Sequence, residues 1–397
     1  METTDAFAGL ECADCGAAVE ATAEAHRCPE CDGPLDASYD YDAIELDRET
    51  LEGRPADSQW RYAELLPFAR ETAVTTREGA TPLVDCPDLA DELGVGRVLL
   101  KDEGRNPTGS VRDRGASVAV TAATRSDADD VALPSTGNGG QAAAAYAGRA
   151  GLESHAYLPS RSGFTNKAMV NVHGGDMNVV GGRYGDAVGA FEEALAEHDD
   201  WYSLRAFETP YRHEGLKTLF YELVEDLEWT APDAICYPTG IGTGIVGLAK
   251  AAREFEELGL IDETPTLYAA QASGCAPIAD AVADGRDDHD PVDRPDTICG
   301  ELEIPDPPAG SWVLEALRET DGDAVATDDP DILESAVRVA QTTGLEPTPS
   351  AAAAASGAWE LADRGAFDGD ETVVIVSTGA GNKEADVLRS HLMGQGI

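Results

Sequence analysis

At 397 residues the chain is long enough to bury a large core and to hold two or three domains. Its 75 acidic and 28 basic residues leave a net charge of -47, which argues against partnership with nucleic acid or adhesion to an anionic membrane. Neither a secretory signal, a transit peptide nor a long apolar run is legible, so a cytoplasmic protein is expected.

The carboxylates are spread along the whole chain. That distribution suits a protein working in concentrated salt, where screening makes self-repulsion tolerable. The densest cluster, Asp287-Asp288-His289-Asp290, lacks the spacing of a calcium loop and reads as a solvated loop.

In chain order, the first feature is a pair of motifs, Cys12-x-x-Cys15 and Cys28-x-x-Cys31, in a segment with Gly16, Pro29 and Gly33 as turn residues. Two such pairs can place Cys12, Cys15, Cys28 and Cys31 tetrahedrally around structural Zn²⁺, and the metal would supply stability that so short a segment lacks. Four ligands leave no open position for catalysis, and His26 is an alternative ligand. Cys86, Cys236, Cys275 and Cys299 read as buried small residues.

From about residue 95, short apolar runs alternate with helical patterns. Strands are predicted at 98–100, 130–133, 154–158, 177–180, 234–237, 266–269 and 372–376, with helices such as 141–151, 184–198 and 246–258 between them. Runs that are continuously apolar mark strands buried on both faces, so the expected fold class is α/β with parallel sheets. The stretches 285–295 and 305–310 are predicted loops. Gly240-Ile241-Gly242-Thr243-Gly244 follows a strand and opens a helix, a placement in which backbone N–H groups and a helix N-terminus can face a phosphate.

The ten residues Asn106-Pro-Thr-Gly-Ser-Val-Arg-Asp-Arg-Gly115 carry the most specific signal. They resemble the cofactor-lysine segment of fold-type II pyridoxal-phosphate (PLP) enzymes, and most closely that of threonine synthases. Other anchors follow in family order: Trp60-Arg61-Tyr62, Glu78-Gly79-Ala80-Thr81-Pro82-Leu83, Ser135-Thr136-Gly137-Asn138, Pro210 with Glu214-Gly215-Leu216-Lys217-Thr218, the glycine loop, and Ser377-Thr378-Gly379-Ala380-Gly381. The resemblance implies two parallel-sheet α/β domains of PLP fold-type II behind the zinc-ribbon-like segment. These are a large domain of 51–98 plus 206–397 and a smaller one of 99–205, with 1–50 as ribbon and linker. It further implies PLP as cofactor, with Gly240, Ile241, Gly242, Thr243 and Gly244 at its phosphate, Asn138 at its ring hydroxyl and Thr378 at its pyridine nitrogen. Asn106, Thr108 and Ser110 would face the substrate, a small phosphate or amino-acid ligand, and a homodimer is expected.

One position contradicts the rest. Arg112 stands where the family has the lysine that forms the Schiff base with PLP and moves protons. A guanidinium stays protonated at physiological pH and is a poor nucleophile. Val111, Gly139-Gly140-Gln141, Ala380 and Asn382 also depart from the family pattern. Three readings follow: an enzyme using another route, a binding or regulatory protein in which Arg112 pairs with phosphate or carboxylate, and a supporting subunit. Five lysines occur, Lys101, Lys167, Lys217, Lys250 and Lys383, and Lys101 is the leading candidate for a relocated amine.

Overall fold

A computed structural model describes residues 2–22, 25–126 and 128–394. The chain forms two compact units, one of residues 1–80, 112–221 and 253–260, the other of 81–111, 222–252 and 261–397.

The first unit contains two sheets. Phe7–Cys12 pairs antiparallel with Ala18–Val19 on one side and Leu35–Tyr39 on the other. The second sheet is parallel, in the order Asp176–Val180, Glu153–Pro159, Asp130–Pro134, Trp201–Ser203. Leu10, Leu35, Ala37 and Tyr39 share one apolar cluster with Trp60, Val118, Tyr146 and Leu158, so the cysteine-bearing segment is continuous with this unit's core. That continuity overcomes the scarcity of apolar residues in the segment itself.

The second unit is a six-stranded sheet in the order Asp323–Thr327, Thr266–Ala272, Ala234–Pro238, Thr372–Ser377, Arg97–Asp102, Leu83–Asp85, in which only the last strand runs antiparallel. Its central strands are buried along nearly their whole length, as continuous apolar runs require. The helix Pro349–Asp363 lies close on this sheet because it presents alanines and Gly357, whose missing Cβ would come within 2.9 Å of Ala270 and Val325. Thr348 caps it, accepting from the Ala351 N–H at 3.1 Å, and Pro349 supplies the preset first turn.

All seven predicted strands are present, each extended by one to three residues. In the two larger sheets Leu83–Asp85, Trp201–Ser203 and Asp323–Thr327 were not predicted, and neither were the three strands of the cysteine-bearing segment. The first three lie at sheet edges, where a strand is short or exposes part of one face and so lacks the continuous apolar run.

Candidate cofactor-binding site

In the second unit the strand Ala234–Pro238 runs into the helix Thr243–Glu257 through the glycine loop, and residues 240–244 are all buried. Thr239 N–H anchors the loop to Ala270 O at 2.8 Å. Two glycines are sterically required. Gly242 has φ +97°, and a Cβ there would lie 2.2 Å from Val313 Cγ2. A Cβ on Gly244 would lie 2.1 Å from the Tyr237 ring. The loop therefore keeps bare backbone at the start of a long helix, which is the chemistry that phosphate recognition needs.

The Asn106–Val111 segment is stitched to the C-terminal loop of the same unit. Val111 N–H donates to Thr378 O at 2.9 Å, Ala380 N–H donates to Gly109 O at 3.0 Å, and Ser110 pairs with Gly379. Asn106 donates through Nδ2 to Glu103 Oε2 at 2.7 Å, so its side chain shapes the turn. Ser110 is 1% exposed, and its Oγ has no hydrogen-bond partner among the described residues. Such a buried orphan fits a segment shaped for a ligand. Thr108 lends its carbonyl to Lys383 Nζ at 2.6 Å, and Thr378 is half-buried.

In the first unit Arg112 begins the helix Arg112–Ala123 and is half-buried, whereas Asp113 and Arg114 behind it are fully buried. Ser135 Oγ accepts from Gly137 N–H at 3.0 Å and Gly140 N–H at 2.9 Å, folding the loop that places buried Asn138 at the start of the helix Asn138–Ala150. Arg212 lies against this turn, its Nη2 3.4 Å from where a Cβ of Gly139 would stand. Burial raises the Tyr184 hydroxyl pKa, and the charges of Arg205, Arg212 and Arg112 oppose that rise. The charges of three guanidinium groups thus act on one buried phenol. Sequence reading identified Arg112 but missed Arg205, Arg212 and Tyr184, because these residues lie on segments about 20 to 100 residues apart with no common motif.

The lysines decide what can replace the missing amine. Lys101, the leading candidate by sequence, is fully buried and fixed: its Nζ donates to Thr81 O at 2.7 Å and pairs with Glu222 at 3.0 Å and Asp226 at 3.4 Å. That geometry removes it as a free nucleophile. Lys217 is clamped between Glu214 and Glu254, Lys167 donates to Ser160 O, Lys383 donates to Thr108 O, and Lys250 is buried.

The four cysteines come together. Cys12 Sγ lies 3.5 Å from Cys31 Sγ, Cys15 Sγ lies 3.7 Å from Cys28 Sγ, and all four sulfurs fall within 4.8 Å of one another. Zinc–sulfur bonds of about 2.3 Å in a tetrahedron place sulfurs about 3.8 Å apart, so the donor set fits. Glu30 N–H also donates to Cys28 Sγ at 3.4 Å. The other four cysteines are buried, as expected.

Glu384, next to Lys383, provides a pH-dependent readout of this part of the second unit. Desolvation and the neighbouring Glu301 carboxylate push its carboxyl up to about 8, against the Ser350 N–H and the Lys383 charge. A carboxyl raised in the folded state contributes stability that is complete below about 4.5 and declines as pH rises towards 8. Glu384→Gln should therefore gain thermal stability over the parent progressively between pH 5 and 8, then hold constant. A pH-independent difference in Tm would show that the carboxyl is not held neutral.

The parallel sheets, the bare glycine loop and the paired loops define a PLP fold-type II α/β protein. Residues 74–379 match the family of pyridoxal-phosphate dependent enzymes. A protein named threonine synthase from Methanosarcina acetivorans is 37% identical over 371 residues, covering 93% of this chain and 91% of its own. The threonine synthase of Methanocaldococcus jannaschii is 34% identical over 379 residues, covering 94% and 93%. Among solved structures, Escherichia coli diaminopropionate ammonia lyase superposes with a TM-score of 0.69 at 18% identity over 85% of this chain and 93% of its own. Maize serine racemase gives 0.67 at 20% over 80% and 94%. The chain belongs to the pyridoxal-phosphate dependent enzyme family and is threonine synthase-like. No helix among the described residues is long and apolar enough to cross a membrane.

Proposed function

We propose that this chain holds PLP, or a ligand of like phosphate chemistry, without covalent attachment, and that by itself it does not convert O-phosphohomoserine to threonine. The observation that carries the proposal is Arg112 at the family's lysine position, with all five lysines of the chain buried or hydrogen-bonded elsewhere. When bound, PLP supplies an electron sink for carbanion chemistry. By resemblance, residues 240–244 would hold its phosphate, Thr378 its pyridine nitrogen and Asn138 its ring hydroxyl. Asn106, Thr108 and Ser110 would shape the substrate side. Arg112 can neutralise and orient an anion through its planar fork of donors, but it cannot take a proton from carbon at neutral pH. In this reading Zn²⁺ at Cys12, Cys15, Cys28 and Cys31 is structural.

The competing reading is a working threonine synthase with a recruited amine. The 37% identity over most of the chain favours it, and the engaged lysines oppose it. The deciding experiment is to purify the protein in multimolar salt, add PLP, reduce with borohydride and map lysines by mass spectrometry. The expected result is PLP that dialyses away, no pyridoxyl-lysine and no threonine formed. An adduct on one lysine together with threonine formation would overturn the proposal.

A further inference from the structure

The strand Leu35–Tyr39 leaves the cysteine knuckle, and at its first residue Leu35 pairs in register with Cys12. Its side chains alternate. Leu35, Ala37 and Tyr39 enter the core, while Asp36 reaches His213, with Oδ1 2.8 Å from Nε2. Tyr39 at the strand's far end donates to Glu214 Oε2 at 2.5 Å. His213 and Glu214 are fully buried in the first turn of the helix Arg212–Asp226.

Lys217, one turn further on, closes the arrangement. Its Nζ is 2.8 Å from Glu214, 2.9 Å from Glu254 and 4.3 Å from the centre of the Tyr39 ring. Tyr41 and Tyr221 also donate to Glu254. Asp36, His213 and Glu214 each bring a ligand atom within 4.8 Å of the others. Glu214 is already taken up by Tyr39 and Lys217, so the group forms a clamp, not a second metal centre. The residue that begins the clamped helix is Arg212, 7% exposed, with Nη1 donating to Leu204 O at 3.1 Å and Nη2 against the Gly139 turn.

We propose that Asp36 and Tyr39 are positioning residues that couple the four-cysteine knuckle to Arg212. Metal at Cys12, Cys15, Cys28 and Cys31 fixes the strand, and the strand fixes the first turn of the Arg212 helix through one buried and one part-buried polar contact. That turn in turn holds Arg212 against the Gly139 turn, beside Asn138, which the proposed function places at the ligand. The last link rests on the function proposed above, whereas the mechanical coupling does not.

The test uses the full chain in high salt, zinc-loaded and chelator-stripped, with hydrogen exchange read by peptide and PLP binding read by calorimetry. Stripping should raise exchange at 35–39 and 212–218 together and leave 243–252 unchanged. PLP affinity should fall about tenfold, the size expected for one lost hydrogen bond. Zinc-bound Tyr39→Phe and Asp36→Asn should reproduce both effects, which keeps the test decisive if stripping unfolds the chain. Exchange that rises only within 7–35, or variants indistinguishable from the parent, would overturn the coupling. Zinc-loaded protein that binds no PLP would count against the proposed function, while the exchange data would still decide the coupling.

Discussion

Arg112→Lys is expected to convert the protein into one that captures PLP covalently, with a visible absorbance band and a pyridoxyl mass on the introduced lysine after borohydride reduction. In the second unit Gly242 and Gly244 keep the loop at residues 240–244 bare and Thr378 is tied to Val111; in the first unit Arg112 opens a helix whose next residues are fully buried. What is missing is an amine able to lose its proton, and an ammonium does so far more readily than a guanidinium. If proton transfer alone is absent, the variant should form threonine from O-phosphohomoserine on the order of 10²–10⁴-fold faster than the parent. Covalent capture without turnover would point instead to the other departures, Val111, Gln141 and Ala380. No capture at all would mean that the segment no longer presents residue 112 to PLP.

The second large effect concerns salt. With 75 carboxylate residues against 28 cationic ones, the folded chain concentrates a net charge of -47 in a compact volume. A charge is felt over about 3 Å at 1 M salt but over about 30 Å at 0.01 M, so dilution exposes each carboxylate to many others. Moving from multimolar to 0.05 M potassium chloride should lower Tm on the order of 20 °C, with unfolding at low salt reversed on adding salt back. Restoring stability equally well with sucrose at low ionic strength would sink this account, because sucrose acts by exclusion and screens no charge.

Much of the fold was legible because its signals are local. A parallel strand buried on both faces must be apolar throughout, and the runs at 98–100, 234–237 and 372–376 are among the seven that became strands. The knuckle was legible for the same reason: two Cys-x-x-Cys pairs carry their own geometry, and the sulfurs meet where zinc would hold them. Three of the edge strands were not legible; Trp201–Ser203, for one, is three residues long and owes its pairing to its neighbour.

The site divides along the same line. By its own residues the sequence determined the family segment, the lysine-to-arginine exchange, the glycine loop and the four thiols, each a short motif whose meaning depends on spacing. Only the tertiary structure decided that Lys101 is spent on Thr81, Glu222 and Asp226, and that the charges of Arg205, Arg212 and Arg112 all act on the buried Tyr184 hydroxyl. It likewise decided that Asp36 and Tyr39 grip His213 and Glu214, residues about 175 positions away. The physical reason is that a buried charge takes its partner from whatever the packed core brings within hydrogen-bond reach, and no pattern of neighbouring residues encodes that partner.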